Sequence, residues 1–442
     1  MKNKKFGIVL FIILFSYFLI LMDNSIIFTG TVKIASELHL NESELSWVSN
    51  AYTITFGGFL LLAGRLGDFV GRKRIFLAGL VIFGLSSLAV GLSQNPMQII
   101  SFRAIQGVGS AILAPTSLAI LMDNYQGEMR MKAISYYGAT AGIGSSVGLL
   151  LGGWLTSAFS WRMGFLINVP FTIFLIMLTV FKIFDKNEPQ TTKIDFLGAF
   201  FSVIFALLFV YGITVSNMLL IILSALILVL FIVWEHSQTS PIMPLALFTN
   251  RIRSGAYIAR FTFMMAMLTY WFILPQIMQN HYGFTPLQAG MGFLPLTIVN
   301  FIAALYLPRL TVKLGNNKVM ILGQGILLVG MLLSAIIDPR NGYLLTIGLP
   351  MILVGIGQGW LLAPLTSAGV EGMSSQLSGA ASGMTNTVHQ IGGPVGLSIV
   401  VLFTSNVLGN WLSYYHMVMG FVVAFNALGL GVLLFTNLGR KR

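Results

Sequence analysis

Apolar runs of about 20 residues recur from one end of this 442-residue chain to the other, and they fix the solvent it can fold in. A helix crosses the hydrocarbon core of a bilayer in about 20 residues. Inside that core every backbone N–H and C=O must be satisfied within the chain, which a continuous helix achieves. The pattern predicts helices at 6–29, 46–66, 75–93, 98–122, 131–155, 162–184, 194–213, 217–235, 252–279, 287–308, 317–337, 342–368, 379–404 and 413–437. Charged residues make up only 9% of the chain, against about 25% in soluble proteins. The expectation is an all-α integral membrane protein with 14 spans and, because the breaks are short, no sizeable soluble domain.

A net charge of +12 would suit a nucleic-acid binder, but its distribution argues otherwise. With the N-terminus in the cytosol, 20 of the 25 Lys and Arg fall in the tails and in the loops around 65–74, 130–132, 182–193, 251–253 and 309–318. Lys33, Arg162 and Arg340 lie on the other side, and Arg103 and Arg260 lie within apolar runs. This is the positive-inside pattern. It places both termini in the cytosol and implies no nucleic-acid partner. Cysteine is absent and the five His are scattered without ligand spacing, so no metal site is expected. The start Lys2 to Phe28 imitates a signal peptide but lacks a small-residue cleavage site and contains Asp23, which reads as a retained first helix.

The runs group as six, two and six: 1–190, a hairpin at 191–240, and 241–442. Polar, proline-containing breaks separate them, at Asp185-Lys186-Asn187-Glu188-Pro189 and around Ser240-Pro241 and Pro244. The hairpin holds few polar residues besides Asp195 and Glu235 and reads as peripheral. The two blocks resemble each other. Gly107-Val108-Gly109 with Ala114-Pro115 matches Gly355-Ile356-Gly357 with Ala363-Pro364, and Gly148 with Gly152-Gly153 matches Gly392-Gly393-Pro394 and Gly396. Parallel halves with interrupted segments at matching places point to a carrier with a central site.

Between the second and third runs stands Gly64-Arg65-Leu66-Gly67-Asp68-Phe69-Val70-Gly71-Arg72-Lys73-Arg74. It resembles the loop between helices 2 and 3 of the major facilitator superfamily. Arg103-Ala104-Ile105-Gln106-Gly107-Val108-Gly109 resembles that superfamily's R-x-x-Q-G-x-G signature. Trp161 to Pro170 is similar to its W-R-W-x-F-x-I-N-x-P entry to helix 6, and Met22 to Ile27 to its L-D-x-T-I-V motif. With 14 spans, the chain resembles the drug:proton antiporters, over nearly its whole length. The resemblance implies two six-helix bundles and a central hairpin, and export of amphipathic drugs driven by the proton gradient without a cofactor, from a bacterial cell membrane. Three departures stand out. Phe28 and Val32 occupy the places of an Asn and a Pro. Leu149 follows Gly148 where the antiporter motif has Pro. Val312 replaces the acid in the second-half counterpart, Lys313 to Lys318.

Asp23 is the one acid well inside either six-helix block, and Arg103 lies at similar depth, about 8 Å below the outer surface by helical rise. Charges inside a bilayer pair or line a cavity. An acid that releases Arg103 on protonation suits proton coupling. Gly64, Asp68, Gly71, Arg72 and Arg74 form a candidate cytoplasmic gate, with the glycines allowing close approach. Gly144, Gly148, Gly152 and Gly153 are the packing positions of the antiporter motif. Tyr52, Phe56, Asn168, Trp271, Gln276, Asn300, Gln358, Trp360, Asn386 and His389 are candidate substrate contacts, and His389 is also a candidate second proton site. One buried acid neutralises a dication poorly, so the expected substrates are neutral, monocationic or zwitterionic, quinolone-like compounds included. The remaining partners are protons and membrane lipids. An exporter or flippase for one metabolite or lipid is the alternative.

Overall fold

The computed structural model describes residues 6–184, 195–238, 241–373, 375–407 and 409–437. Within them, 14 helices are long and apolar enough to cross a membrane. They are α1 Ile8–Leu38, α2 Glu42–Val70, α3 Arg72–Gly91, α4 Pro96–Asn124, α5 Gly127–Ala158, α6 Trp161–Lys182, α7 Phe196–Thr214, α8 Met218–Ser237, α9 Arg251–Asn280, α10 Pro286–Leu314, α11 Asn316–Ile336, α12 Leu344–Gly369, α13 Ser375–Thr404 and α14 Trp411–Asn437. The polar break at 185–194, Ser240 and the side chain of Asp68 lie outside what is described.

Two boundaries differ from the sequence reading in ways that matter. The first helix does not end at 29. Gly30 alone does not break it, a single glycine being tolerated within a helix. Ile34 and Leu38 continue the buried face until His39 turns left-handed at φ 53°. Asp23 is therefore at the midpoint of α1, not near its end. The segment 64–74 is not a loop either. Nothing between Gly64 and Val70 stops a helix, so α2 runs to Val70 and a single residue, Gly71 at φ 104°, separates it from α3. Gly315 at φ 82° does the same between α10 and α11. Only glycine adopts such backbone freely, and the matched breaks are the geometric form of the repeat.

α1–α6 pack into one bundle and α9–α14 into another. The glycines of α5 bring it into close contact with α1. A Cβ at Gly144, Gly148 or Gly152 would crowd Phe18 and Leu21, Met22 and Ser25, or Ile26 of α1. This is a four-residue ladder on one face of α5. Gly153, one position round, turns to the second bundle and abuts Pro286 and Leu287.

The hairpin is only half peripheral. α8 is largely exposed, but α7 packs on both α2 and α13 and so bridges the seam between the bundles. At the hairpin's base Asp195 caps α7 by accepting from Gly198 N at 2.8 Å and also accepts from Trp234 Nε1 at 2.8 Å, while Glu235 accepts from Met243 N at 2.9 Å. Both acids border the Cα of Gly198.

The bundles also meet at the face opposite the chain termini. Leu287 N donates to Ser157 Oγ at 3.1 Å, Gln279 Nε2 to Thr29 O at 3.2 Å, and Tyr414 Oη to Glu42 Oε1 at 2.5 Å.

Candidate functional site

α1, α2, α3, α4 and α6 converge on Asp23, which is fully buried. Arg103 Nη1 pairs with Asp23 Oδ2 at 2.8 Å. Gln106 Nε2 and Asn168 Nδ2 donate to Oδ1 at 2.9 and 2.7 Å. Gln106 also donates to Ser87 Oγ at 2.7 Å and accepts from Arg103 Nη1 at 2.6 Å. Arg103 Nε donates to Val48 O at 3.1 Å, and the guanidinium lies 4.1 Å from the Tyr52 ring centroid. The Tyr52 hydroxyl is held by Ser110 Oγ at 2.8 Å. Arg103 Nη2 is buried with no hydrogen-bond partner among the described residues.

The arrangement follows from local structure. R-x-x-Q places Arg103 and Gln106 on one face of α4. Gly107, whose Cα rests against Tyr52 O and Thr55 Oγ1, draws α2 onto that face. α6 is broken at Ile167 between Trp161–Leu166 and Asn168–Lys182, which puts Asn168 at the start of a helical segment facing Asp23. A buried ion pair of this kind is costly to break from one side, by about 3–5 kcal/mol. A proton delivered to Asp23 does break it from one side. Protonation of Asp23 would leave a neutral acid beside an unpaired Arg103.

The structure joins Asp23 and Arg103 as expected and places two presumed substrate contacts in their company. Tyr52 and Asn168 are fully buried partners of the pair, and Phe56 is buried edge-on to Tyr52 at 5.9 Å. Tyr52 and Asn168 thus face the pair in this conformation, while Phe56 lies against Tyr52 and touches no donor of the pair. Gln106 and Ser87 were not singled out from sequence, although Gln106 stands in the quoted motif. Their signal is the three-residue spacing to Arg103 and the shared depth of Ser87.

The other candidates are dispersed. His389 is half-buried and parallel to Phe263 at 6.4 Å, with Nδ1 buried and without a partner among the described residues. Gln358 is buried, and its Oε1 has no partner among the described residues. Trp360 Nε1 donates to Ala303 O at 3.2 Å, and the Asn300 backbone abuts Gly355 and Gly359, so both belong to the α10–α12 contact. Asn386 is exposed and bonds only Ser382 O on its own helix. Trp271 lies 6.3 Å from Phe28. Gln276 lines a cavity of about 260 Å³ at the face opposite the termini, with Glu42, Asn280, His281, Trp411 and Tyr414. His281 there stacks on Trp411 at 4.6 Å, and its partial burial lowers its pKa.

At the termini face Arg72 Nη1 binds Asp123 Oδ1 at 2.6 Å and Ala119 O at 3.0 Å, tying α3 to the end of α4. Sequence reading gave Arg72 a gating role and missed Asp123. Arg74 is exposed. A Cβ on Gly64 would meet nothing nearer than Pro115 at 3.8 Å, so the close approach expected at Gly64 is not present. Gly71 is needed for its backbone angle instead.

A family model described as the Major Facilitator Superfamily matches residues 13–397. The chain is 32% identical over 403 residues to EfpA of Mycobacterium tuberculosis, described as an uncharacterized MFS-type transporter, covering 88% of this chain and 75% of EfpA. It is 29% identical over 454 residues to the puromycin resistance protein pur8 of Streptomyces alboniger, covering 97% and 89%. Among solved structures, a bacterial homologue of the human lysosomal transporter Spinster superposes with a TM-score of 0.72 at 14% identity, over 97% of this chain and 96% of the other.

Proposed function

Because the chain belongs to the major facilitator superfamily, a class of non-enzymatic membrane carriers, we propose that it is a proton-coupled antiporter exporting amphipathic drugs from the cytosol. Its kinship with drug-resistance transporters supports the drug-export part. The single observation that carries the proton-coupled part is the fully buried Asp23–Arg103 pair at 2.8 Å, held by two further donors to the same acid.

In this reading Asp23 takes a proton from the side opposite the termini and gives it up to the cytosol. Protonation frees Arg103, whose Nη2 is already without a partner. Loss of the charge pair removes a constraint linking α1 to α4 and biases the rocking of one bundle against the other. The basic residues gathered at the termini face support a cytosolic location for both ends. Arg72–Asp123 then belongs to the cytosolic gate, and Asp68 remains its proposed acid. Glu42–Tyr414 and Gly153–Pro286 belong to the outer gate. The proton gradient suffices as the energy source. A proton moving through roughly 100 mV yields about 2.3 kcal/mol, and one pH unit adds about 1.36 kcal/mol. Together they support roughly a 500-fold gradient of a neutral solute.

Among the candidate substrate contacts, His389, Gln358, Trp271 and Phe56 are retained as the proposed lining, and neutral, monocationic and zwitterionic compounds as the substrates. The test is drug-triggered proton flux in proteoliposomes with an acidic interior, for the native protein and Asp23→Asn. Flux in the native protein alone supports the reading. Equal flux in both moves the proton site away from Asp23. Flux in neither removes proton-driven drug export and favours a carrier for one metabolite or lipid.

A further inference from the structure

Arg260 differs from every other arginine described inside the bundles. Arg103 has Asp23. Arg253, at the end of α9, is held by three backbone carbonyls, of Leu247, Glu371 and Ala246. Arg260 is 8% exposed and has no acid partner among the described residues. Its Nη1 donates to Thr366 Oγ1 at 2.7 Å and Leu362 O at 3.3 Å, and its Nε is buried with no partner among the described residues. A membrane-interior cation is costly and ordinarily carries a counter-charge or faces a watery cavity.

What faces Arg260 is the other bundle. Tyr17 is nine residues into α1, Arg260 nine residues into α9, Tyr137 ten residues into α5, and His389 nine residues into the span Ala380–Thr404. These helices all run away from the termini face, so the four residues share a layer about 14 Å deep by helical rise. The helix that carries Arg260, α9, packs against both α1, which carries Tyr17, and α13, which carries His389. Tyr17 and Tyr137 stack face to face at 4.0 Å and 9°. The Tyr137 hydroxyl is committed to Ser117 and Ala114, whereas that of Tyr17 has no hydrogen-bond partner among the described residues. His389 presents an unpartnered Nδ1 from the same bundle as Arg260. The layer thus offers an unneutralised guanidinium, a free hydroxyl, a free imidazole nitrogen and a flat aromatic wall.

We infer that Arg260, His389, Tyr17 and Tyr137 form the subsite for the anionic head, a carboxylate or phosphate, of an amphipathic substrate whose ring system lies on the Tyr17–Tyr137 pair. This rests on the exporter reading and sharpens it to acid-bearing compounds, zwitterions included. Six residues of α1 separate Tyr17 from Asp23, so the head binds about 9 Å to the termini side of the proton site. Substrate anion and proton occupy different groups, and Arg260 needs no protein acid because the cargo supplies one.

The test is equilibrium binding of norfloxacin and of its methyl ester, which lacks the carboxylate, to the full chain in phosphatidylcholine nanodiscs. The expected result is that the native protein binds the acid at least about tenfold tighter than the ester. Arg260→Gln abolishes that preference while ester binding stays within about twofold, and Arg260→Lys recovers part of it. No preference in the native protein, or equal loss of both ligands in Arg260→Gln with Arg260→Lys no better, overturns the inference. Competition by short-chain phosphatidic acid, lost in Arg260→Gln, in place of norfloxacin binding upholds the anion site and assigns it to a lipid head. Arg260-dependent binding of the acid without any drug-triggered proton flux upholds the subsite and overturns the antiport reading, so the two fail separately.

Discussion

Asn168 and Gln106 donate to the same oxygen of Asp23, at 2.7 and 2.9 Å, and leave the other oxygen to Arg103 at 2.8 Å. The acid is thus shared between α4 and α6, and its charge holds both to α1. Asn168→Ala removes one bond to a buried charge, a loss of about 1.5–3 kcal/mol. We expect drug-triggered proton flux at saturating drug to fall about tenfold or more. Phe56→Ala touches no donor of the pair and is expected to raise the drug concentration needed while leaving the saturating flux near native. Flux titrations in proteoliposomes separate the two effects.

Arg72 and Asp123 make a charge pair at 2.6 Å whose side chains are about a quarter exposed. Solvent screening limits its stability value to about 1 kcal/mol or less, so its effect should appear in gating rather than in folding. Arg72→Asp and Asp123→Arg are each expected to impair transport with little change in melting temperature, and the double swap to recover a large part of it. A double variant no better than the singles would remove the pair from the gate.

Gly148 and Gly138 lie on the same helix with opposite surroundings. A Cβ at Gly148 would sit against Met22 O and Ser25 Cβ, while one at Gly138 meets nothing within 4 Å. Gly148→Ala must part α1 from α5, and the expected outcome is a lower melting temperature and impaired transport. Gly138→Ala is expected to be neutral or to stabilise by up to about 1 kcal/mol through helix propensity. Thermal melts of purified protein compare them directly.

His281 has a pKa below the usual 6.5 because partial burial disfavours its charged form. Below pH 6.5 the unfolded chain therefore binds a proton more readily than the folded protein does, and stability falls with falling pH until the folded His281 also protonates. His281→Phe keeps a ring against Trp411 and removes the titration. Its melting temperature relative to native is expected to rise on going from pH 7.5 to 5.5. A difference that stays constant with pH would assign the acid sensitivity elsewhere, with Glu42 in the same cavity the next acid to examine.

The spans were legible because a bilayer imposes one length and one composition on every crossing. The Asp23–Arg103 contact was legible in its partners but not in its position. The sequence reading ended α1 at 29 and put both residues near one surface, whereas α1 continues to Leu38 because neither Gly30 nor Thr31 interrupts it. The same bias, treating glycine and charge as loop signals, hid the helical course of Gly64 to Val70. Asp123 escaped notice because a lone acid at a helix end carries no pattern until α3 is seen to lie beside it. Asp195 and Glu235 are 40 residues apart in sequence, and only the fold of the hairpin brings them to one glycine. Tyr17 and Tyr137 carry no pattern that pairs them in sequence, and they stack because the glycines of α5 let α1 and α5 lie close together.

Ser398 of α13 accepts from Asn50 Nδ2 of α2 at 3.1 Å and from Thr214 Oγ1 of α7 at 2.9 Å, all three fully or nearly buried. One hydroxyl thus serves three bodies: a bundle on each side and the hairpin between them. If the bundles tilt against each other, as the proposed antiport requires, α7 gives up one of these two neighbours. A helix in that position acts on the height of the barrier between conformations more than on their relative populations, so changes at Thr214 are expected to alter turnover rate with little effect on how far a gradient can be built.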